Sequence, residues 1–259
     1  MDLQSVGCIG GGRITRIMLA AFVRAGKLPK TVVVSDTSAG VLTQLQATYP
    51  GIRCITNGNA EAAAQDLVFL ALHPPVAGEV IPPLMPQIRR DTIVVSLMPK
   101  ISAAKISQML GGHPLVVRLI PNAPAMIGKG FNPVVYATSM PVDKKKALAS
   151  LFTSFGSCPE VNEEHLEAYA VISAMGPTYL WFQLYELQQI AESFGLSPAG
   201  ASDAVHQMAL GSIATMAESG LSSGEVMDLV PVKPLGADEP AIREMYRKRL
   251  TELYGKLKA

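Results

Sequence analysis

The stretch from Ser5 to Thr15, Ser-Val-Gly-Cys-Ile-Gly-Gly-Gly-Arg-Ile-Thr, restricts the fold of this chain more than any other. A short apolar run ends in a glycine cluster, and a helix-period pattern (Ile14, Ile17, Met18, Ala21, Phe22) begins at once. Strand, tight turn and helix N-terminus in that succession are the setting in which a glycine-rich turn binds a dinucleotide. Gly10 permits the sharp turn, and Gly12, lacking a Cβ, lets a pyrophosphate approach the backbone closely. The helix then turns unpaired N–H groups and its positive dipole end toward the anion, which makes Arg13 and Ile14 candidate contacts. Thr15 stands at the third fingerprint position, where the pattern asks for Gly or Ala. Taken alone, such a turn is also compatible with no ligand at all; the rest of the chain strengthens the cofactor reading.

Downstream, apolar strands alternate with helical patterns. Strands are expected at Thr31 to Ser35, Ile52 to Ile55, Leu67 to Leu72, Thr92 to Ser96, Leu115 to Leu119 and Val134 to Ala137. Helices are expected at Val41 to Tyr49, at Ala60 to Gln65 with Asn59 as cap, at Val76 to Met85 with proline interruptions, at Ser102 to Leu110 and at Asp143 to Phe155. Strands apolar throughout imply parallel strands covered by helices on both faces. From Glu163 onward only helical patterns occur, punctuated by Gly176-Pro177, Ser197-Pro198 and the capping-box sequence Ser222-Ser223-Gly224-Glu225. The expected architecture is a doubly wound α/β Rossmann domain over residues 1–160, mainly parallel, and an all-α domain over residues 161–259. Apolar runs such as Tyr179–Phe182 and Met208–Leu210 exceed what so few helices bury alone. A homodimer through these helices, or a higher oligomer built on it, is expected to cover them.

Composition narrows the class. The 259 residues are 49% hydrophobic and 17% charged with a formal net charge of +1, which suits a compact enzyme-like chain and gives no general attraction to nucleic acid or anionic membranes. Cys8, Cys54 and Cys158 fit neither a metal site nor a disulfide framework, so no metal is expected and a reducing cytoplasm is the expected location. No apolar run reaches membrane-spanning length, and the N-terminus reads as strand rather than signal peptide.

The chain resembles the pyrroline-5-carboxylate reductase family. The residues that carry the resemblance are Ile9-Gly10-Gly11-Gly12, Leu70-Ala71-Leu72-His73-Pro74, Val94-Val95-Ser96, the run from Arg118 to Ala125 (Arg-Leu-Ile-Pro-Asn-Ala-Pro-Ala), and Ser173-Ala174-Met175-Gly176-Pro177-Thr178-Tyr179. The resemblance implies an N-terminal Rossmann domain, a helical domain that interlocks into a dimer, and NAD or NADP as cofactor. It also implies that the Arg-x-x-Pro-Asn-x-Pro run closes a strand beside the nicotinamide, and that the Ser173–Tyr179 region meets substrate. Leu72, His73, Pro74, Pro121 and Asn122 become cofactor candidates on this ground. The departures lie on the substrate side. His73 replaces the family's lysine, Pro99-Lys100 replaces Ala-Gly, and Ala174-Met175 alters the serine-glycine turn. The family's Ser-Pro-Gly-Gly-Thr-Thr loop is absent, with Val230-Pro231-Val232-Lys233-Pro234-Leu235-Gly236 in its place.

Several positions carry a functional reading beside a structural one. Asp36 ends the second strand, where a carboxylate accepts from both ribose hydroxyls of NAD and repels a 2′-phosphate; it also suits capping of the next helix. No arginine follows it, while Thr37-Ser38 are able to hold a phosphate, so the balance tilts to NAD without excluding NADP. His73 is able to contact the cofactor or relay a proton, or simply ends a strand. Asn122, in a rigid turn between prolines, is suited to orienting a carboxamide or substrate, or to forming the turn. Ser173 and Tyr179 flank a helix break and are candidate catalytic groups or a packed junction. Lys233 and Lys100 are cations able to bind an anionic substrate, or solvated lysines. The reaction expected is hydride transfer with a small imine or keto compound, with pyrroline-5-carboxylate itself a poor substrate. The rival readings are a hydroxyacid or deazaflavin-linked dehydrogenase, and a nucleotide-binding sensor that has lost catalysis.

Overall fold

The computed structural model describes residues 3–258; positions 1, 2 and 259, the outermost of the two expected domains, lie outside them. Packing divides the chain into two compact units, one running to Met175 and resuming at Tyr254, the other Gly176–Leu253.

In the first unit a seven-stranded sheet is built from β1 (Ser5–Ile9), β2 (Thr31–Asp36), β3 (Arg53–Thr56), β4 (Leu67–Leu70), β5 (Ile93–Ser96), β6 (Val116–Leu119) and β8 (Val134–Tyr136), in the order β3-β2-β1-β4-β5-β6-β8. All pairings are parallel except β6 with β8. A minor pair, β7 (Gly130–Phe131) with β9 (Gly156–Ser157), was not expected from sequence. Pleating sends alternate side chains to opposite faces. Val6, Cys8, Leu67, Phe69, Ile93 and Val95 enter one core with Met18, Leu19 and Phe22 of helix α1 (Arg13–Arg24). Ile9, Val68, Leu70, Val94 and Val116 enter the other, with Ala62 of α3 (Asn59–Ala63) and Ile106 of α5 (Ala103–Met109). Each strand therefore reads as apolar without alternation, because both faces are covered. Gly7 is the exception that packing demands: a Cβ there would lie 1.8 Å from the Ala62 carbonyl oxygen.

The remaining helices of this unit are α2 (Ala39–Thr48), α4 (Ala77–Val80) and α6 (Val142–Phe152). Pro82-Pro83 reduce the expected Val76 to Met85 helix to α4 flanked by 3-10 turns. Asn59 does not cap α3. The cap position is Gly58, and the Asn59 Oδ1 accepts instead from the Ser35 hydroxyl at 2.6 Å, tying α3 to β2. The segment after residue 160, assigned by sequence to the second domain, packs in the first unit. It changes helix type along its length, from a 3-10 turn (Glu163–His165) through α7 (Leu166–Tyr169) to a π-helix (Ala170–Ala174). Leu166 and Ala170 form a small core with Ile120 and Val135.

The second unit contains α8 (Pro177–Ser193), α9 (Pro198–Glu218), α10 (Ser223–Asp228) and most of α11 (Glu239–Lys258). Ser197 caps α9, and Ser222 with Glu225 forms the expected capping box of α10. Among its described residues only Ala201 and Val205 are buried, while Phe182, Phe194, Leu210 and Met216 stand 62–78% exposed. No helix among the described residues is long and apolar enough to cross a membrane.

Candidate cofactor cleft

Strand order reverses between β1 and β4, so the loops leaving their carboxyl ends diverge and open a crevice. A cleft of about 640 Å³ occupies it. The glycine turn forms one wall. Gly10 has φ +103°, and a Cβ there would lie 2.3 Å from the Ala71 carbonyl oxygen, so this residue makes the turn possible at all. Gly12 is different. It has an ordinary φ of −69° as N-cap of α1, and a Cβ on it would meet nothing within 4 Å. The space that its missing side chain leaves belongs to the cleft, directly over the helix N-terminus. That is a cradle shaped for an anion. Thr15 explains its own departure from the fingerprint: it is fully buried, and its hydroxyl donates to the Gly10 carbonyl at 2.6 Å, latching the turn.

The Asp36 carboxylate accepts from the Gly11 N–H at 2.7 Å and from the Ser38 N–H at 2.8 Å. It ties the end of β2 to the glycine turn and stands beside it, outside the lining of the cleft itself. Helix α2 is capped by Ser38, whose hydroxyl accepts from the Val41 N–H at 3.4 Å, while Thr37 is exposed.

Gly12, Arg13, Ile14, Leu72, His73, Pro74 and Pro121 meet in the cleft. Sequence reasoning missed Arg16, one helical turn after Arg13; its guanidinium lines the cleft and donates to Gln44 Oε1 at 2.5 Å. It also missed Leu97 and Ile120, which follow β5 and β6 directly. Their position one step past a carboxyl end was the available signal. Ala170 and Ala174 of the π-helix, with Met175 at its C-cap, complete the lining, and no sequence period announces that helix.

Asn122 and Ser173 are not in the lining. The Asn122 amide donates to the Ser173 carbonyl at 3.2 Å, its backbone N–H donates to Asn132 Oδ1 at 3.1 Å, and the Ser173 hydroxyl donates to the Tyr169 carbonyl at 2.8 Å. Asn122 Oδ1 is buried without a hydrogen-bond partner among the described residues. Arg118, in the most distinctive motif, also faces elsewhere. It is 2% exposed, and its guanidinium pairs with Glu163 at 3.0 Å and Glu167 at 2.6 Å. Burial acts to raise the Glu167 pKa, but the Arg118 hydrogen bond and charge, with the Lys100 N–H, overcome it and hold the carboxyl below its ordinary value. Lys100, in a left-handed conformation with φ +72°, belongs to this cluster and not to the cleft. The motif arginine thus anchors the 163–167 segment onto the sheet.

Tyr179 and Lys233 belong to the second unit. Burial, then the neighbouring Tyr246, raises the Tyr179 phenol above its usual pKa; the two rings meet edge-on at 6.3 Å. Lys233 is exposed on the α10–α11 loop, in a turn closed by the Gly236 N–H donating to its carbonyl at 2.9 Å. Among the described residues no three His, Cys, Asp or Glu side chains gather as a metal site would require.

Two family models match: NADP oxidoreductase coenzyme F420-dependent over residues 5–100, and pyrroline-5-carboxylate reductase dimerisation over residues 163–257. Pyrroline-5-carboxylate reductase of Corynebacterium melassecola is 26% identical over 246 residues, covering 94% of this chain and 90% of the relative. The structure of pyrroline-5-carboxylate reductase from Coxiella burnetii has a TM-score of 0.71 at 25% identity, over 99% of this chain and 95% of that one. That of Plasmodium falciparum pyrroline carboxylate reductase, solved with NADP bound, reaches 0.82 at 20% identity over 100% and 98%. With the sheet order, the switch-point cleft and these likenesses together, the chain belongs to the pyrroline-5-carboxylate reductase family of NAD(P)-dependent oxidoreductases.

Proposed function

We propose that this protein is an NAD(P)-dependent reductase of a C=N or C=O bond in a small molecule other than pyrroline-5-carboxylate. The observation that carries the reading is the open cradle at Gly12 over the N-terminus of α1. Gly10, Gly12, Arg13 and Ile14 hold the pyrophosphate of the coenzyme, and Leu72, His73, Pro74, Pro121 and Asn122 shape the way to the nicotinamide. Asp36 takes the ribose hydroxyls, which favours NAD over NADP, and Thr37 and Ser38 stand beside it. When bound, the reduced nicotinamide supplies a hydride to the carbon of the double bond. Among the described residues of the lining, His73 supplies the one imidazole, able to donate or accept a hydrogen bond there. Asn122 and Ser173, outside the cleft lining, are our candidate catalytic groups of the first unit, and Tyr179 and Lys233 those of the second.

The altered segments support a substrate other than pyrroline-5-carboxylate. Ala174-Met175 removes a serine and fills space with a thioether, Pro231 donates no N–H, and the 230–236 loop has no threonine. Each charge-assisted hydrogen bond lost to a carboxylate costs about 1.5–3 kcal/mol, so two or three cost roughly a hundredfold or more in efficiency. A homodimer through the helical unit accords with its exposed apolar side chains and with the matched dimerisation model; a folded monomer in light scattering at micromolar concentration refutes it. The function is tested by titrating NADH and NADPH and following coenzyme oxidation against small imines and keto acids. Turnover with NADH on one of them is expected. Failure of both coenzymes to bind overturns the proposal, coenzyme binding without turnover favours the sensor reading, and kcat/KM of about 10⁴ M⁻¹s⁻¹ or more on pyrroline-5-carboxylate overturns the substrate part.

A further inference from the structure

The loop that follows β5 lines the cleft with Leu97 and Pro99 before it enters α5. Its first residue is tied to the sheet, the Leu97 N–H donating to the Leu70 carbonyl at 3.1 Å. Beyond that point one cluster grips its backbone in three places. Arg118 Nη2 donates to the Met98 carbonyl at 3.4 Å, Glu167 accepts from the Lys100 N–H at 3.1 Å, and Glu163 accepts from the Ala103 N–H at 2.7 Å. The Arg118 Nε is buried without a hydrogen-bond partner among the described residues, so the guanidinium holds its two carboxylates through Nη1 and Nη2. At the centre of the loop Lys100 has φ +72°, a conformation that strains a residue bearing a Cβ and that glycine adopts freely. The Glu167 carboxylate thus meets the N–H of the strained residue itself.

We propose that Glu167 is a positioning residue of the cleft: by holding Lys100 in its strained conformation it keeps Leu97 and Pro99 in the wall that receives the coenzyme. The inference rests on the coenzyme reading of the cleft and adds to it a residue outside the lining. Without its acceptor Lys100 relaxes toward negative φ, and the apparent Kd for NADH rises by the inverse of the fraction of chains still competent. Strain of the ordinary size for a left-handed residue leaves about one chain in ten so arranged, a weakening of about tenfold. The test is NADH titration by fluorescence, well below the melting temperature, of the full-length parent, Glu167→Ala, Lys100→Gly and the double variant. Glu167→Ala is expected to bind NADH about tenfold more weakly than the parent. Adding Lys100→Gly, for which the positive φ carries no strain, is expected to return the affinity to within about threefold of Lys100→Gly alone. Should the alanine form not fold, Glu167→Gln, whose neutral carbonyl is the weaker acceptor, takes its place with a loss of about threefold and the same rescue. A role in stability alone lowers the melting temperature and leaves the affinity of the folded protein where it was. Unchanged NADH binding by the folded Glu167 variant therefore overturns the inference, and so does a double variant as weak as that single one. Failure of the parent itself to bind NADH is a different result, and it overturns the coenzyme reading on which the inference depends.

Discussion

Substituting valine for Gly12 separates the fold from its ligand. An added Cβ meets no protein atom within 4 Å and the φ of −69° suits any L-residue, so the folded chain admits the side chain without overlap. What it loses is a glycine N-cap, worth about 1 kcal/mol or less. The ligand fares otherwise, because the branched side chain fills the cradle over the helix N-terminus. Displacing a pyrophosphate from two backbone N–H donors forfeits about 3–6 kcal/mol at 1.5–3 kcal/mol each, which is roughly 10²- to 10⁴-fold in affinity. Two positions earlier the outcome reverses. Gly10→Ala places a side chain at φ +103° and 2.3 Å from the Ala71 carbonyl, adding backbone strain of about 1–3 kcal/mol to a direct overlap. Gly10→Ala is expected to melt well below the parent, and Gly12→Val close to it. The assay is NADH titration by fluorescence with thermal melting of both variants. A Gly12→Val protein that melts normally and binds NADH unchanged refutes the assignment of the cradle; one that does not fold refutes the reading of the open space.

Glu167→Ala leaves the buried Arg118 guanidinium short of its nearest carboxylate and is expected to lower unfolding stability by about 3–5 kcal/mol in urea; a loss below about 1 kcal/mol would contradict the anchor role. His113 is buried with Nε2 2.8 Å from the Thr92 carbonyl, and burial lowers its pKa against the opposing effect of that hydrogen bond. The contribution is therefore intact above the unfolded value of about 6.5. As pH falls below it the unfolded chain takes up a proton first, and stability declines by up to about 1.4 kcal/mol per pH unit. His113→Gln is expected to flatten that slope in urea melts between pH 7 and about pH 5, and an unchanged slope speaks against it. Asp36→Ser removes the carboxylate beside the ribose site, so the NADPH-to-NADH affinity ratio is expected to rise about tenfold or more. Because Gly11 and Ser38 lose their acceptor, stability falls as well. An unaltered coenzyme ratio removes Asp36 from the specificity site.

The glycine-turn side of the cleft was legible because its signals are local. A positive-φ glycine, a helix N-terminus and the residue ending the next strand lie within a few dozen positions, and chain chemistry alone relates them. The opposite side was less so. Asn122 and Ser173 carried a functional reading, drawn from the resemblance, beside a structural one, and the structure pairs each with nearby backbone. Arg118 belonged to the most recognisable motif and proved to be a buried ion-pair centre, since its partners, Glu163 and Glu167, arrive from more than forty positions away.

The order of elements, the double-sided burial of the sheet and the site of the glycine turn follow from the sequence by itself, through strand alternation, helix period and the steric freedom of single residues. Tertiary structure alone decided three other matters. It set the strand order whose reversal between β1 and β4 opens the cleft. It carried the segment 163–175 onto the sheet, where a π-helix puts Ala174 and Met175 into the wall. And it determined which polar side chains are satisfied internally and which remain for a ligand. Each depends on contacts between residues distant in the chain, and such contacts form only where burial across the whole domain outweighs the entropy of ordering it.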